Sequence, residues 1–115
     1  MTKQNKQKVA NTLRIIGGRW RGRKLTVLDS EGLRPTPNRV RETLFNWLQY
    51  SLSGANCLDL FAGTGALGLE AASRGAEKIT LVEFNIQTAE QLSKNCQELG
   101  ADNYQLINED AATFL

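Results

Sequence analysis

Residues 57–68 read Cys-Leu-Asp-Leu-Phe-Ala-Gly-Thr-Gly-Ala-Leu-Gly, an apolar strand that runs into a glycine loop opening a helix. Gly63, Gly65 and Gly68 fit the G-x-G-x-x-G spacing of a nucleotide-cofactor site, and Glu83 follows at the interval where an acid grips ribose hydroxyls. Asp59 helps to say which nucleotide. A dinucleotide rests its pyrophosphate on the helix N-terminus, where a carboxylate at the strand end is unwelcome. S-adenosyl-L-methionine has no phosphate, and its ammonium and sulfonium are cations, so a loop preceded by Asp59 suits it better.

The spacing of the remaining elements decides whether other acids join that loop. Lys78 to Glu83 and Tyr104 to Ile107 read as further strands, separated by a helix carrying Ile86, Ala89, Leu92, Cys96 and Leu99 and ended by Gly100. A shorter helix runs from Ala66 to about Ser73, with Gly75 in the place of a C-terminal cap glycine. Strand, helix, strand, helix, strand predicts a parallel sheet, and ligands of such sheets bind outside the carboxyl ends of the strands. Asp59, Phe61, Gly63, Thr64 and Gly65 belong to the first end, Glu83 to the second, Asp110 with Ala111 to the third. The expected roles are Asp59 near the methionine moiety, Glu83 on the ribose and Asp110 on the adenine amino group. Singly, Glu83 or Asp110 would read as a helix cap or a surface acid.

The half before Gly54 has a different character. Residues 1–11 are a polar tail expected to be disordered. Thr12–Ile16 and Trp20–Leu28 read as a β-hairpin turning at Gly17-Gly18, with Gly22 as a candidate bulge and Asp29–Gly32 closing it. Leu33 to Pro37 cannot be helical, and a helix should follow with Thr36 as N-cap and Pro37 at its first position. Its expected core face is Val40, Leu44, Leu48 and Leu52, widened by Phe45 and Trp47, with Arg39, Arg41 and Glu42 off that spine. The chain thus divides into the tail (1–11), a hairpin and helix (12–53), and three strands of an α/β unit (54–115). Three strands are the first half of a doubly wound sheet.

Charge follows the same division. Residues 1–53 hold eleven Lys or Arg against three acids, a net +8, and residues 54–115 three against nine, a net −6. Such a split suggests a polyanion partner for the basic half. The candidates are Arg19, Arg21, Arg23 and Lys24 around Trp20, which could stack on a base, although a lone Trp in a hairpin is more often core. The chain has no histidine, which excludes a Ser-His-Asp triad and a histidine-ligated metal site. Cys57 and Cys96 read as buried thiols, and no apolar run of about 20 residues or signal-peptide pattern is present. A cytoplasmic monomer is expected.

The segments Arg14–Leu25 and Arg34–Leu48, together with Leu58–Gly65 and Val82-Glu83, resemble the RsmD family over about residues 12–115. These are bacterial enzymes that methylate a guanine of 16S ribosomal RNA at its exocyclic N2. The resemblance implies a Rossmann-like class I methyltransferase fold, incomplete here, with S-adenosyl-L-methionine as cofactor and 16S rRNA or the 30S subunit as partner. It also implies that Thr36, Arg39 and Glu42 contribute to the cofactor pocket. Similar enzymes carry an Asp/Asn-Pro-Pro-aromatic motif after the fourth strand, whereas the prolines here are Pro35 and Pro37 alone. The chain by itself is therefore expected to bind cofactor and RNA without transferring a methyl group. Rival readings are another nucleic-acid N-methyltransferase, half of an NAD- or FAD-binding enzyme, and a non-enzymatic RNA-binding relative.

Overall fold

The structure is a computed structural model and describes residues 10–28 and 37–115. The expected polar tail up to residue 9, the Asp29–Gly32 closure and Thr36 lie outside the described residues, whereas residues 10 and 11 of that tail are corrected to paired strand, opposite Leu28 and Val27. An antiparallel hairpin, β1 (Ala10–Arg14) and β2 (Lys24–Leu28), precedes helix α1 (Asn38–Leu48). Then come β3 (Asn56–Asp59), α2 (Ala66–Ser73), β4 (Lys78–Val82), α3 (Ile86–Leu99), β5 (Tyr104–Ile107) and the short α4 (Ala111–Phe114). Strands β3, β4 and β5 form one parallel sheet in that order, with Cys57 opposite Ile79 and Leu81 opposite Leu106. The alternation read from the sequence is thus realised, and all three strands end at one edge.

Helix boundaries follow local chemistry. Asn85 caps α3 by accepting from the Thr88 amide at 2.9 Å, and Gly100 ends it in the left-handed conformation that favours glycine. Gly68 faces β4 so closely that a Cβ there would lie 2.3 Å from a Leu81 methyl, so the third glycine of the loop motif serves helix–strand packing. Ala89, Leu92, Cys96 and Leu99 fill the core from α3 as expected, whereas Ile86 is exposed. Burial pushes the Cys96 thiol up to about 12, which makes it inert, and neither cysteine is in a disulfide. Among the described residues no helix is long and apolar enough to cross a membrane.

Hairpin and sheet share one core: Ile15, Trp20, Leu25, Phe45 and Leu52 pack with Leu69, Leu81, Leu92 and Cys96. Two expectations are corrected here. The second hairpin strand starts at Lys24 rather than Trp20, because Gly18 and Gly22 both have positive φ (83° and 82°) and coil the chain between them. Gly22 is accordingly a turn residue and not a bulge, its amide donating to the Ile15 carbonyl at 2.8 Å. The face of α1 is also rotated. Arg41 and Phe45 are buried, while Val40 and Trp47 are 52% and 77% exposed. Pro37 takes the N-cap position expected of Thr36, so the helix begins one residue later than expected.

The reason for that rotation is Glu70, the one charged residue of α2. Its carboxylate is fully buried and accepts from the amides of Ile16 and Gly17 (2.9 Å each), from Arg41 Nη1 (3.3 Å) and from Arg74 Nε (2.8 Å). Arg41 also donates to the Arg14 carbonyl at 3.1 Å and to Asn38. Burial lowers the Arg41 pKa, against the raising pull of Glu70. A buried carboxylate without such partners would be prohibitive, so the cation turns inward and the apolar spine gives way. Ser73 completes the junction. Its hydroxyl donates to the Gly17 carbonyl and accepts from the Trp20 amide, and a Cβ on Gly18 would lie 2.0 Å from the Ser73 carbonyl oxygen.

Candidate functional site

The carboxyl edge of the sheet gathers Asp59, Glu83 and Asp110, as parallel strands of matched length require. A cleft of about 310 Å³ opens there, lined by Leu60, Phe61, Glu83, Phe84, Asp110 and Ala111. The glycine loop follows directly on Leu60 and Phe61 of its wall. The Gly63 amide donates to Glu83 Oε1 at 2.8 Å, and the Ala62 amide to the Val82 carbonyl at 2.9 Å, so the loop is pinned to the end of β4. Glu83 Oε2 accepts from the Asn85 amide at 3.0 Å. A carboxylate has about four lone-pair sites. Glu83 therefore keeps acceptor capacity for a pair of hydroxyls.

Asp59 is different. One oxygen accepts from the Phe61 amide at 3.3 Å, while Oδ2 is buried with no hydrogen-bond partner. Burial pushes its pKa up, the Phe61 and Gly68 amides oppose that, and the Glu83 charge adds to it. A buried carboxylate oxygen with an open acceptor site can accept from a cationic donor such as an ammonium. The loop itself leaves room. A Cβ on Gly63 (φ 57°) would meet nothing within 4 Å, so that position is open to a ligand. At Gly65 (φ 101°) a Cβ would instead lie 2.6 Å from Leu69 and 2.8 Å from Leu92.

The other sequence candidates fall into three groups. Thr64 and Gly68 are buried behind the loop: Thr64 contributes its carbonyl, which accepts from Asn95 Nδ2 at 3.0 Å. Asp110 is exposed and caps α4, its side chain accepting from the Ala112 amide at 3.3 Å, while Ala111 forms part of the cleft wall. Arg39 and Glu42 lie exposed on α1 and do not line the cleft. A second groove, of about 460 Å³, runs between α1 and the end of β3, with Leu44, Leu48, Leu58, Asp59 and Phe61 in its walls.

Of the basic candidates, Arg19, Arg21, Arg23 and Lys24 are exposed, but Trp20 is only 6% exposed and belongs to the core. Base stacking by Trp20 is corrected on that ground; the Arg19 guanidinium lies 4.2 Å over its ring. Sequence reasoning missed Phe84, which lines the cleft, and Asn95. The buried Asn95 amide bonds both backbone groups of Thr26 as well as the Thr64 carbonyl, so it joins β2 to the glycine loop. Among the described residues no group of three or more His, Cys, Asp or Glu could hold a metal ion.

Comparison with known proteins bears on family and fold. A family model described as "Conserved hypothetical protein 95" matches residues 13–115. The chain is 58% identical over 103 residues to "Ribosomal RNA small subunit methyltransferase D" of Escherichia coli (strain K12), covering 90% of this chain and 52% of that protein. It is 53% identical over 105 residues to the protein of the same name from Haemophilus influenzae, covering 90% and 54%. The chain thus spans about half the length of the curated relatives it matches. The solved structure of Escherichia coli yhhF superposes with a TM-score of 0.84 at 52% identity, over 90% of this chain and 56% of that one. Pyrococcus horikoshii TYW2 in complex with MeSAdo superposes at 0.67 with 23% identity, over 90% of this chain and 37% of that one, a likeness of fold alone. The chain belongs to the RsmD family, and its three-stranded parallel sheet is the incomplete Rossmann-like sheet of a class I methyltransferase.

Proposed function

We propose that this chain is the cofactor-binding and RNA-gripping part of an enzyme that methylates ribosomal RNA, with the exocyclic N2 of a guanine in 16S rRNA of the 30S subunit as target. The observation that carries the reading is the orphaned Asp59 Oδ2 at the mouth of the glycine loop, one strand from Glu83. A buried carboxylate with a free oxygen favours a cationic ligand, and Glu83 has acceptor sites left for ribose hydroxyls. S-adenosyl-L-methionine fits both, and when bound it supplies an electrophilic methyl on its sulfonium. Phe61 and Phe84, 81% and 74% exposed at the cleft, offer apolar walls for a purine ring, with Asp110 near its amino group. A dinucleotide would set its phosphates against Asp59.

Each residue has a limited task. Asp59 orients the methionine end, Glu83 fixes the ribose, and the Gly63 backbone permits close approach; Thr36, Arg39 and Glu42 are assigned to the pocket margin by family resemblance only. The exposed Arg and Lys of the hairpin neutralise RNA phosphates. The guanine amine must be aligned with the cofactor methyl by polar groups that accept its hydrogens. An Asp/Asn-Pro-Pro-aromatic motif would do this, and the sequence lacks it. The chain alone should therefore bind without turning over, as a cytoplasmic monomer. Titration calorimetry tests the cofactor half of the reading: heat with S-adenosyl-L-methionine and none with NAD is the expected result. Binding of NAD in its place would refute it, and methylation of 30S subunits by this chain alone would refute the assigned division of labour.

A further inference from the structure

The two chemically active regions lie at opposite ends of the sheet. Glu83 and Asp110 line the cleft at the carboxyl edge, whereas Gly18 and Arg19 line an open cavity of about 570 Å³ at the amino edge, together with Ser73, Arg74, Asp102 and Asn103. Ala76 lies in that same cavity wall just before β4, and Glu83 lies just after it. The climb from residue 76 to residue 83 at about 3.3 Å per residue separates the regions by roughly 20 Å. Arg23 is held at the amino edge too, its Nη2 donating to the Glu98 carbonyl at 2.8 Å in the last turn of α3.

Charge is distributed in the same sense. The loops around the cleft, residues 60–66, 83–86 and 108–111, carry Glu83, Glu109 and Asp110 and no Lys or Arg. The amino edge carries Arg14, Arg19, Arg21, Arg23, Lys24, Arg74 and Lys78 against Glu77, Glu98 and Asp102. The carbonyls that would repel an anion there are engaged: Ser73 accepts from the Arg19 amide at 2.8 Å, and Gly75 from the Gly54 amide at 2.9 Å. RNA phosphates are therefore disfavoured at the cleft and favoured at the hairpin turn.

Resting on the RNA-methylating reading above, we propose that the hairpin turn is a second, distal RNA grip. It holds the phosphate backbone of a stretch of RNA about 20 Å from the cleft, distinct from the stretch that presents the target base. Such contacts set register and carry no base information. Their reach makes the enzyme a reader of folded RNA, because only a structured substrate keeps two stretches at a fixed separation. The turn is rigid enough for this, being tied to α2 through Ser73 and Glu70.

The test uses this chain with Cys57→Ala, leaving Cys96 buried and inert, and one new thiol at either end: Glu77→Cys beside the basic turn or Glu109→Cys beside the cleft. Each thiol carries a tethered iron chelate that cuts nearby RNA, and the probe is 16S rRNA assembled in 30S subunits. Two separate sets of cut nucleotides are expected. Adding Arg21→Ala and Lys24→Ala, whose side chains make no hydrogen bond among the described residues, should weaken RNA binding by about tenfold near 0.1 M salt. It should leave S-adenosyl-L-methionine affinity unchanged. One shared set of cuts, or cuts from the cleft probe alone, overturns the distal grip while the RNA reading stands. No cuts from either probe overturns both.

Discussion

Two carboxylates, Asp59 and Glu70, lie in adjoining elements and have opposite fates. Glu70 is saturated by two backbone amides and two guanidinium groups, and it welds hairpin, α1 and α2 into one body. Asp59 has one long hydrogen bond and one buried oxygen with none. Desolvation acts on both, but only at Glu70 do neighbours fully replace the lost water. A satisfied acid is part of the scaffold; an unsatisfied one keeps an acceptor site open. The difference teaches that partner count, more than burial, separates a settled charge from an unsettled one in this chain.

The contrast can be broken most severely at Glu70. Glu70→Leu leaves Arg41 buried without its counter-charge and should cost about 3–5 kcal/mol, read as a fall in the urea midpoint. Adding Arg41→Met should recover part of that loss, and a double variant no better than the single would disprove the pairing as its cause. At Asp59 the sign reverses. Asp59→Asn should lower S-adenosyl-L-methionine affinity at least about tenfold while raising apo stability by up to about 1 kcal/mol, since a strained charge is removed. A destabilised Asp59→Asn would erase the distinction drawn here.

The pH dependence sharpens it further. Asp59 has a folded pKa above the ordinary aspartate value, so the folded state binds its proton more tightly than the unfolded state. Its contribution to stability is therefore greatest below the ordinary value and is lost as pH rises through the raised one. Subtracting the stability profile of Asp59→Asn from that of the parent should isolate this decline. Smallest of all, Arg21→Ala with Lys24→Ala should change stability by no more than about 0.5 kcal/mol, because both side chains are exposed and unbonded among the described residues.

What was legible in the sequence were the features fixed by local chemistry. Gly100 and Asn85 bound α3, the apolar strands stand where periodicity puts them, and the gathering of Asp59, Glu83 and Asp110 follows from parallel order alone. What escaped depended on long-range partners. Arg41 lies one residue from an apolar spine, and a charged side chain is normally placed outside. Only Glu70, 29 residues away, draws it in. A lone acid within Ala66–Ser73 was the available signal. Trp20 was drawn into a strand by alternating basic residues, although Gly18 and Gly22 bracket it and wind the chain. Asn95 gives no sequence sign that its amide will join β2 to the glycine loop.

The position of β3 has a practical consequence. It pairs with β4 on one side and with no strand on the other among the described residues, and its own Leu58 and the following Phe61 are exposed. Unpaired amides flanked by apolar side chains form a template that a second strand can extend. The monomer proposed above should therefore hold in dilute solution and give way to edge-to-edge association only at high concentration, seen as sedimentation that rises with protein concentration, and a Leu58→Lys substitution should keep the molecules apart.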